Sequence, residues 1–131
     1  MAVGLSSTDF AHKVLNHMLR AVASTAPAGN FVKLHTADPG AAATNGPSSV
    51  TTRPSVTFNA AAAGACTASN TPTWATWAGT SPETVSHISV WDAATVGTFL
   101  YSVALTSSKV VQTGDTLTLT SLSVSLAPLA A

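Results

Sequence analysis

The chain has 131 residues, five of them Lys or Arg and five Asp or Glu, so its formal net charge is zero and only 8% of it is charged; an ordinary soluble domain carries about 25%. Neutrality argues against a dedicated nucleic-acid binder, which needs a basic stripe to neutralise phosphates, and a hydrophobic fraction of 46% excludes intrinsic disorder. A surface of Ser, Thr and Ala with so few ionic groups repels its neighbours weakly, which predicts a subunit built into an assembly.

The length fits a single domain over residues 1–131. Met1 to Leu5 has no basic start, and the next apolar stretch is interrupted by His12, Lys13, Asn16, His17 and Arg20, so no secretory signal is predicted. Ser6 and Ser7 can cap a helix, Asp9 suits its first turn, and Pro27 with Gly29 ends the segment. These signals predict an amphipathic helix over about residues 8–24. At about 100° per residue, Phe10, Ala11, Val14, Leu15, Met18, Leu19, Ala21 and Val22 share one half of the wheel, and His12, Lys13, Asn16, His17 and Arg20 fill the other. The apolar half is expected to be buried, and the basic half is a candidate dock for an acidic partner.

From residue 30 the composition changes to Val, Thr, Phe, Trp and Tyr in short runs between Gly, Pro, Asn and Asp, which is strand and turn chemistry. The predicted strands are Phe31 to His35, Ser55 to Phe58, Ala65 to Ser69, Thr73 to Trp77, Thr84 to Trp91, Thr98 to Leu105, Lys109 to Gln112 and Thr116 to Leu126. Residues 36–52, with Asp38-Pro39-Gly40 and Asn45-Gly46-Pro47, read as one long loop, either floppy or reaching a neighbour, ahead of a β body over about 53–126. Ala60 to Ala63, bracketed by Asn59 and Gly64, is too short for a stable helix and reads as a turn. Alternation places Phe99, Tyr101, Val103 and Leu105 on one core-facing side. The apolar parity switches between Leu119 and Leu122, which requires a bulge or bend. The turns at Asp92 to Gly97 and at Gly114-Asp115 both suit hairpins. The predicted fold is therefore mainly β, an antiparallel β-sandwich or barrel with one N-terminal amphipathic α-helix covering a face or an end. No run reaches the roughly 18 apolar residues of a membrane span.

The residues carry no constellation that selects an enzyme. Asp9, Asp38, Glu83, Asp92 and Asp115 lie in helix-start and turn contexts where carboxylates have structural uses. No G-x-S-x-G elbow and no phosphate-binding loop occurs. His12 and His17 are five positions apart, which does not give a same-face metal pair, and His35 and His87 stand singly in strands. Cys66 is the only cysteine, which rules out an intramolecular disulfide and suggests a small buried thiol. Accordingly no catalytic, cofactor-binding or metal residues are expected. Trp74 and Trp77 are three apart, so a regular strand points them to opposite faces; Trp91 and at least one of them are expected to anchor the core rather than form a sugar platform.

The segment Lys33-Leu34-His35-Thr36-Ala37-Asp38-Pro39-Gly40, followed by Arg53 to Phe58 and by Val85 to Leu105 with Trp91-Asp92-Ala93-Ala94, resembles a family of short tailed-bacteriophage virion proteins, often labelled tail fibre or minor tail proteins. The similarity runs from about residue 30 to 126 and includes the preceding helix. It implies a non-enzymatic structural component of the particle with an all-β body and no cofactor. The chain has no repetitive shaft, so a compact accessory subunit on the tail or tail tip fits better than a long adhesin. The other readings are a decoration protein on the capsid exterior, and a carbohydrate-binding module contacting host-surface glycan through Trp74 or Trp77. The expected partners are further copies of the chain, as a homo-oligomer with a trimer as the expected form, and other virion proteins.

Overall fold

The computed structural model describes residues 3–126. In chain order the elements are a π-helical turn Ser7–Ala11, α1 His12–Arg20, β1 Phe31–His35, β2 Ala65–Thr67, β3 Thr73–Trp74, β4 Glu83–Trp91, β5 Phe99–Val111, β6 Leu117–Thr118 and β7 Ser123–Ser125. Every pairing is antiparallel, in a three-stranded sheet β1-β4-β5 and two ribbons, β2-β7 and β3-β6. No sheet among the described residues closes into a barrel, so the mainly β fold with its N-terminal helix is sandwich-like.

Register decides what each face of the large sheet carries. Val32, Val90 and Tyr101 line up across it, as do Leu34, Ile88 and Val103. All but Val103 of these are buried, in one core with Val56, Trp74, Trp77, Val85, Leu100, Val111 and Leu122. The opposite face carries Phe31, Lys33 and His35 on β1, and His87, Ser89 and Trp91 on β4. Phe99 belongs to this second face, contrary to strict alternation with Tyr101. Trp91 pairs with Phe99 while Val90 pairs with Tyr101, so Leu100 is an inserted residue that flips the facing. A second irregularity between Val85 and His87 lets β5 run on through the separately predicted strand Lys109 to Gln112 as far as Val111.

Four other expectations change. The helix stops at Arg20 rather than near residue 24, because Ala21 turns left-handed (φ 54°) and the Val22 N–H reaches back to the Asn16 carbonyl. Ser55 to Phe58 forms only isolated bridges, Ser55 to Phe31 and Phe58 to Ala68. The Asn70 side chain takes up the Thr57 N–H and the Ser55 carbonyl that a ladder would use. Gly114-Asp115 does not make a hairpin: Gly114 N–H donates to the Trp77 carbonyl and Trp77 N–H to the Asp115 carbonyl, steering the following chain to β3. Cys66 is half-buried on β2 rather than fully enclosed.

The parity switch is real and takes the form of a change of partner, from β3 at Leu117–Thr118 to β2 at Ser123–Ser125. The Asp92 to Gly97 junction is the expected hairpin. Asp92 Oδ1 accepts the Thr98 N–H at 2.6 Å, and Gly97 sits at φ +74°, where an added Cβ would lie 2.5 Å from that same oxygen. Ala63 (φ 48°) and Gly64 (φ 72°) make the tight turn expected after Asn59, with Ala62 and Ala65 exchanging both backbone hydrogen bonds.

Residues 36–52 are irregular but not floppy. The loop folds back on β1, with Thr36 N–H donating to the Gly46 carbonyl and Ser48 N–H to the Leu34 carbonyl. Pro39, Ala43 and Ser48 are buried. Its far end is held by Glu83, whose carboxylate accepts from Ser48 Oγ, Ser49 Oγ and Ser49 N–H, each at 2.9 Å.

Candidate functional site

The helix is the first feature with no structural employment. Ser6 caps it, its Oγ accepting the Asp9 N–H, and Ser6 N–H donates to the Leu100 carbonyl, tying the helix start to the outer edge of β5. Phe10 packs edge-on against Tyr101, with ring centroids 6.1 Å apart. Beyond that turn the stripe is uncovered: Leu15 is 54% exposed, Met18 73% and Leu19 78%. The sequence-based expectation that this half is buried therefore fails within the single chain. An apolar stripe of this kind on a helix that touches the body only at its root marks an interaction surface.

The second feature is the Trp91 face. Trp91 is half-buried, not a core anchor, whereas Trp74 and Trp77 are both buried. Thr76 is left-handed (φ 53°), which breaks strand alternation and lets Trp77 turn into the same core as Trp74. Their indole N–H groups donate to the Thr52 and Thr80 carbonyls. Neither ring is available for a sugar platform, which corrects that version of the glycan reading. The Arg53 guanidinium lies 4.5 Å from the Trp91 ring centroid and Lys33 Nζ 5.6 Å from it. Arg53 Nη1 also donates to the Ala93 and Val96 carbonyls, pinning the β4–β5 turn. Burial first, and then the neighbouring Arg53 charge, lower the Lys33 pKa from its ordinary value.

Behind Trp91 runs a buried relay. The Trp91 indole N–H donates to Ser89 Oγ at 2.8 Å, and Ser89 Oγ lies 2.7 Å from His35 Nε2. His35 Nδ1 is 2.8 Å from the Asn45 carbonyl, which can only accept, so Nδ1 carries the proton and Nε2 accepts from Ser89. The Ser–His spacing is that of a nucleophile and its base. Both residues are nevertheless fully buried, and the third partner is a backbone carbonyl of the 36–52 loop, so the relay holds loop to sheet. Burial lowers the His35 pKa, outweighing the opposing effect of its bond to Asn45.

A stability prediction follows. His35 stays neutral in the folded chain at a pH where the unfolded chain binds a proton. Its contribution is intact above about pH 6.5, the ordinary value, and is lost progressively as pH falls below that toward the lowered folded value. Urea midpoints are expected to fall between about pH 7.5 and about pH 5, on either side of the ordinary histidine value, and imidazole ¹⁵N shifts of His35 to keep the Nδ1–H tautomer at about pH 6. A His35 that titrates like free imidazole contradicts the relay.

The third feature is an open apolar groove of about 550 Å³ between β5 and the chain from Leu117 to Ser123, floored by Leu34, Trp74 and Ile88. The carboxylates have ordinary work. Asp38 accepts from Gly40 N–H, Asp92 from Thr98 N–H and Asp115 from Gln112 N–H, and Glu83 clamps the loop. Sequence alone missed the relay and the Arg53 contact, because both depend on cross-strand register and on which segment flanks β1.

No curated protein sequence matches the chain. A family model does, described as podophage GP4 fiber I protein gp80, and it covers residues 5–127. That span takes in the helix, the folded-back loop, the Trp91 face and every strand. The chain accordingly belongs to the family of the podophage GP4 fiber I protein gp80, and is a structural component of the phage tail carried in the virion.

Proposed function

We propose that this protein is a non-enzymatic accessory subunit of the tail or tail tip that self-associates through its N-terminal helix, as a trimer, and is held among other virion proteins. The uncovered stripe carries this reading. Ala11, Leu15 and Met18 follow the four- and three-residue spacing of a short coiled-coil seam, with Leu19 beside them on α1. Their burial among symmetry-related copies supplies the cover that the single chain lacks. The basic residues Lys13 and Arg20 lie off the seam and stay in water. Low overall charge supports close packing of copies, and the fibre description of the family supports tail over capsid.

Sedimentation of the purified chain is expected to give three times the monomer mass. The variant Leu15→Ser/Met18→Ser/Leu19→Ser should sediment as a monomer with unchanged β-sheet circular dichroism, because these side chains lie outside the core. A parent chain that stays monomeric at every concentration reached overturns self-association. Antibody labelling of intact particles that marks the head rather than the tail overturns the position.

A further inference from the structure

We propose that the open groove beside β5 receives the Leu19 flank of the helix from a second copy of this chain, so that each subunit of the trimer places its helix against one neighbour and its groove around the helix of the other. This rests on the assembly reading above and deepens it by assigning the helix a receptor on the β body.

The seam alone is too small to hold copies together. Ala11, Leu15 and Met18 span a single heptad, whereas a coiled coil stands on about three to four. With nine residues, α1 is only about 14 Å long. A stable interface buries about 800 Å² on each partner, which so short a seam does not reach, so the body has to contribute. The apolar stripe is also wider than the seam. Leu19 follows Met18 by about 100° round the helix and is 78% exposed. Phe10, packed on Tyr101 of its own body, lies on the other side of the seam. The helix thus turns one flank to its own chain and leaves the opposite flank for a different one.

The groove matches that flank in position and in chemistry. Tyr101, which holds Phe10, stands in the row of Val32 and Val90; Val103, in the row of Leu34 and Ile88 on the same face, lines the groove. Helix root and groove are therefore neighbours along β5, and copies gathered about their helices bring the groove of one beside the helix of another. Val103, Leu105, Leu117 and Leu119 line the groove and are only half-buried, so a docking side chain covers apolar surface that the single chain leaves in water. No carboxylate lines it among the described residues, so the basic half of the helix finds no counter-charge there and the apolar half is the one that fits. Helix flank and groove are two different patches, and contacts of that kind close into a ring when the rotation between copies allows it, as a three-fold does.

Single-cysteine chains in a Cys66→Ala background test the contact. Leu19→Cys places a thiol on the helix flank and Thr120→Cys places one on the groove rim, both at exposed positions. Co-expressed with one chain tagged and then oxidised, the two are expected to form a disulfide-linked dimer of unlike chains. Leu19→Cys alone should stay unlinked, because off the seam its copies stand too far apart for a disulfide, whereas Met18→Cys alone should link to itself. A chain carrying both Leu19→Cys and Thr120→Cys should give linked multimers up to the trimer rather than an internally bridged monomer. Leu119→Asn should raise the concentration at which trimers dissociate by about tenfold or more, the effect of losing one buried leucine contact; since Leu119 also packs on its own core, the cysteine pairs are the deciding arm. A parent chain that is monomeric overturns the assembly reading and the groove with it. A sedimenting trimer that yields no mixed dimer, that links Leu19→Cys to itself, or that bridges the two cysteines within one chain overturns the groove contact alone.

Discussion

Replacing Trp77 with alanine is expected to destabilise the protein by about 3–5 kcal/mol, read as a lower urea midpoint at unchanged slope. Trp77 is 2% exposed and its ring completes the core beside Trp74, Val85 and Val111. Removing it opens a large void and leaves the Thr80 carbonyl without its indole donor. The main chain at Trp77 also holds the Gly114-Asp115 turn, so a shift there propagates to β6. Trp91→Ala should cost about half as much, because its ring is already partly exposed and its stacking with Arg53 contributes only about 0.5–1 kcal/mol. The ordering of the two losses is the decisive outcome. Equal losses at both positions sink the assignment of Trp77 to the core and Trp91 to the surface.

That pair also shows where sequence reading stops. Hydrophobic alternation identified β1, β4 and most of β5, because each is a half-buried strand whose pattern its own residues set. The two-faced reading of Trp74 and Trp77 assumed a regular strand, and one left-handed residue, Thr76, cancels it. Non-Gly residues in that conformation carry no sequence signal, as Ala21 shows again at the helix end. Likewise the apolar half of the helix was legible as a stripe, but not as an uncovered one, since no local pattern says whether the cover comes from the same chain. The Trp91 face depended on an inserted residue at Leu100 and on the proximity of Arg53, a residue remote from Trp91 in sequence. Alternation fixes facing within a strand, and long-range register decides which side chains meet.

The carboxylate at Glu83 gives the second large effect. It is 9% exposed and stands at the start of β4, where it accepts from Ser48 Oγ, Ser49 Oγ and Ser49 N–H. Ser49 Oγ in turn accepts the Thr80 N–H at 2.7 Å, and Ser48 Oγ the Val50 N–H at 3.1 Å. One side chain thus fixes the end of the 36–52 loop to β4 and to the segment that carries Trp77. Backbone packing is equally close there: a Cβ added at Gly79 would lie 2.3 Å from Ser49 Oγ. Glu83→Ala leaves the buried Ser48 hydroxyl and the two Ser49 donors without their acceptor and is expected to cost about 2–4 kcal/mol. Glu83→Gln keeps one acceptor oxygen and the side-chain volume, so its loss should be about half as large. Hydrogen exchange separates a local from a global effect. Amides of Ser49, Val50 and Thr80 should exchange faster in Glu83→Ala by more than the drop in global stability accounts for, while those of β1 follow the global change. Protection of Ser49 and Thr80 equal to that of the parent chain contradicts the clamp. Because His35 reaches the same loop through the Asn45 carbonyl, loosening at Glu83 should also lower the stability of the His35–Ser89–Trp91 relay. The combined variant Glu83→Ala/Ser89→Ala is therefore expected to lose less than the two single losses added together, since both act on one loop.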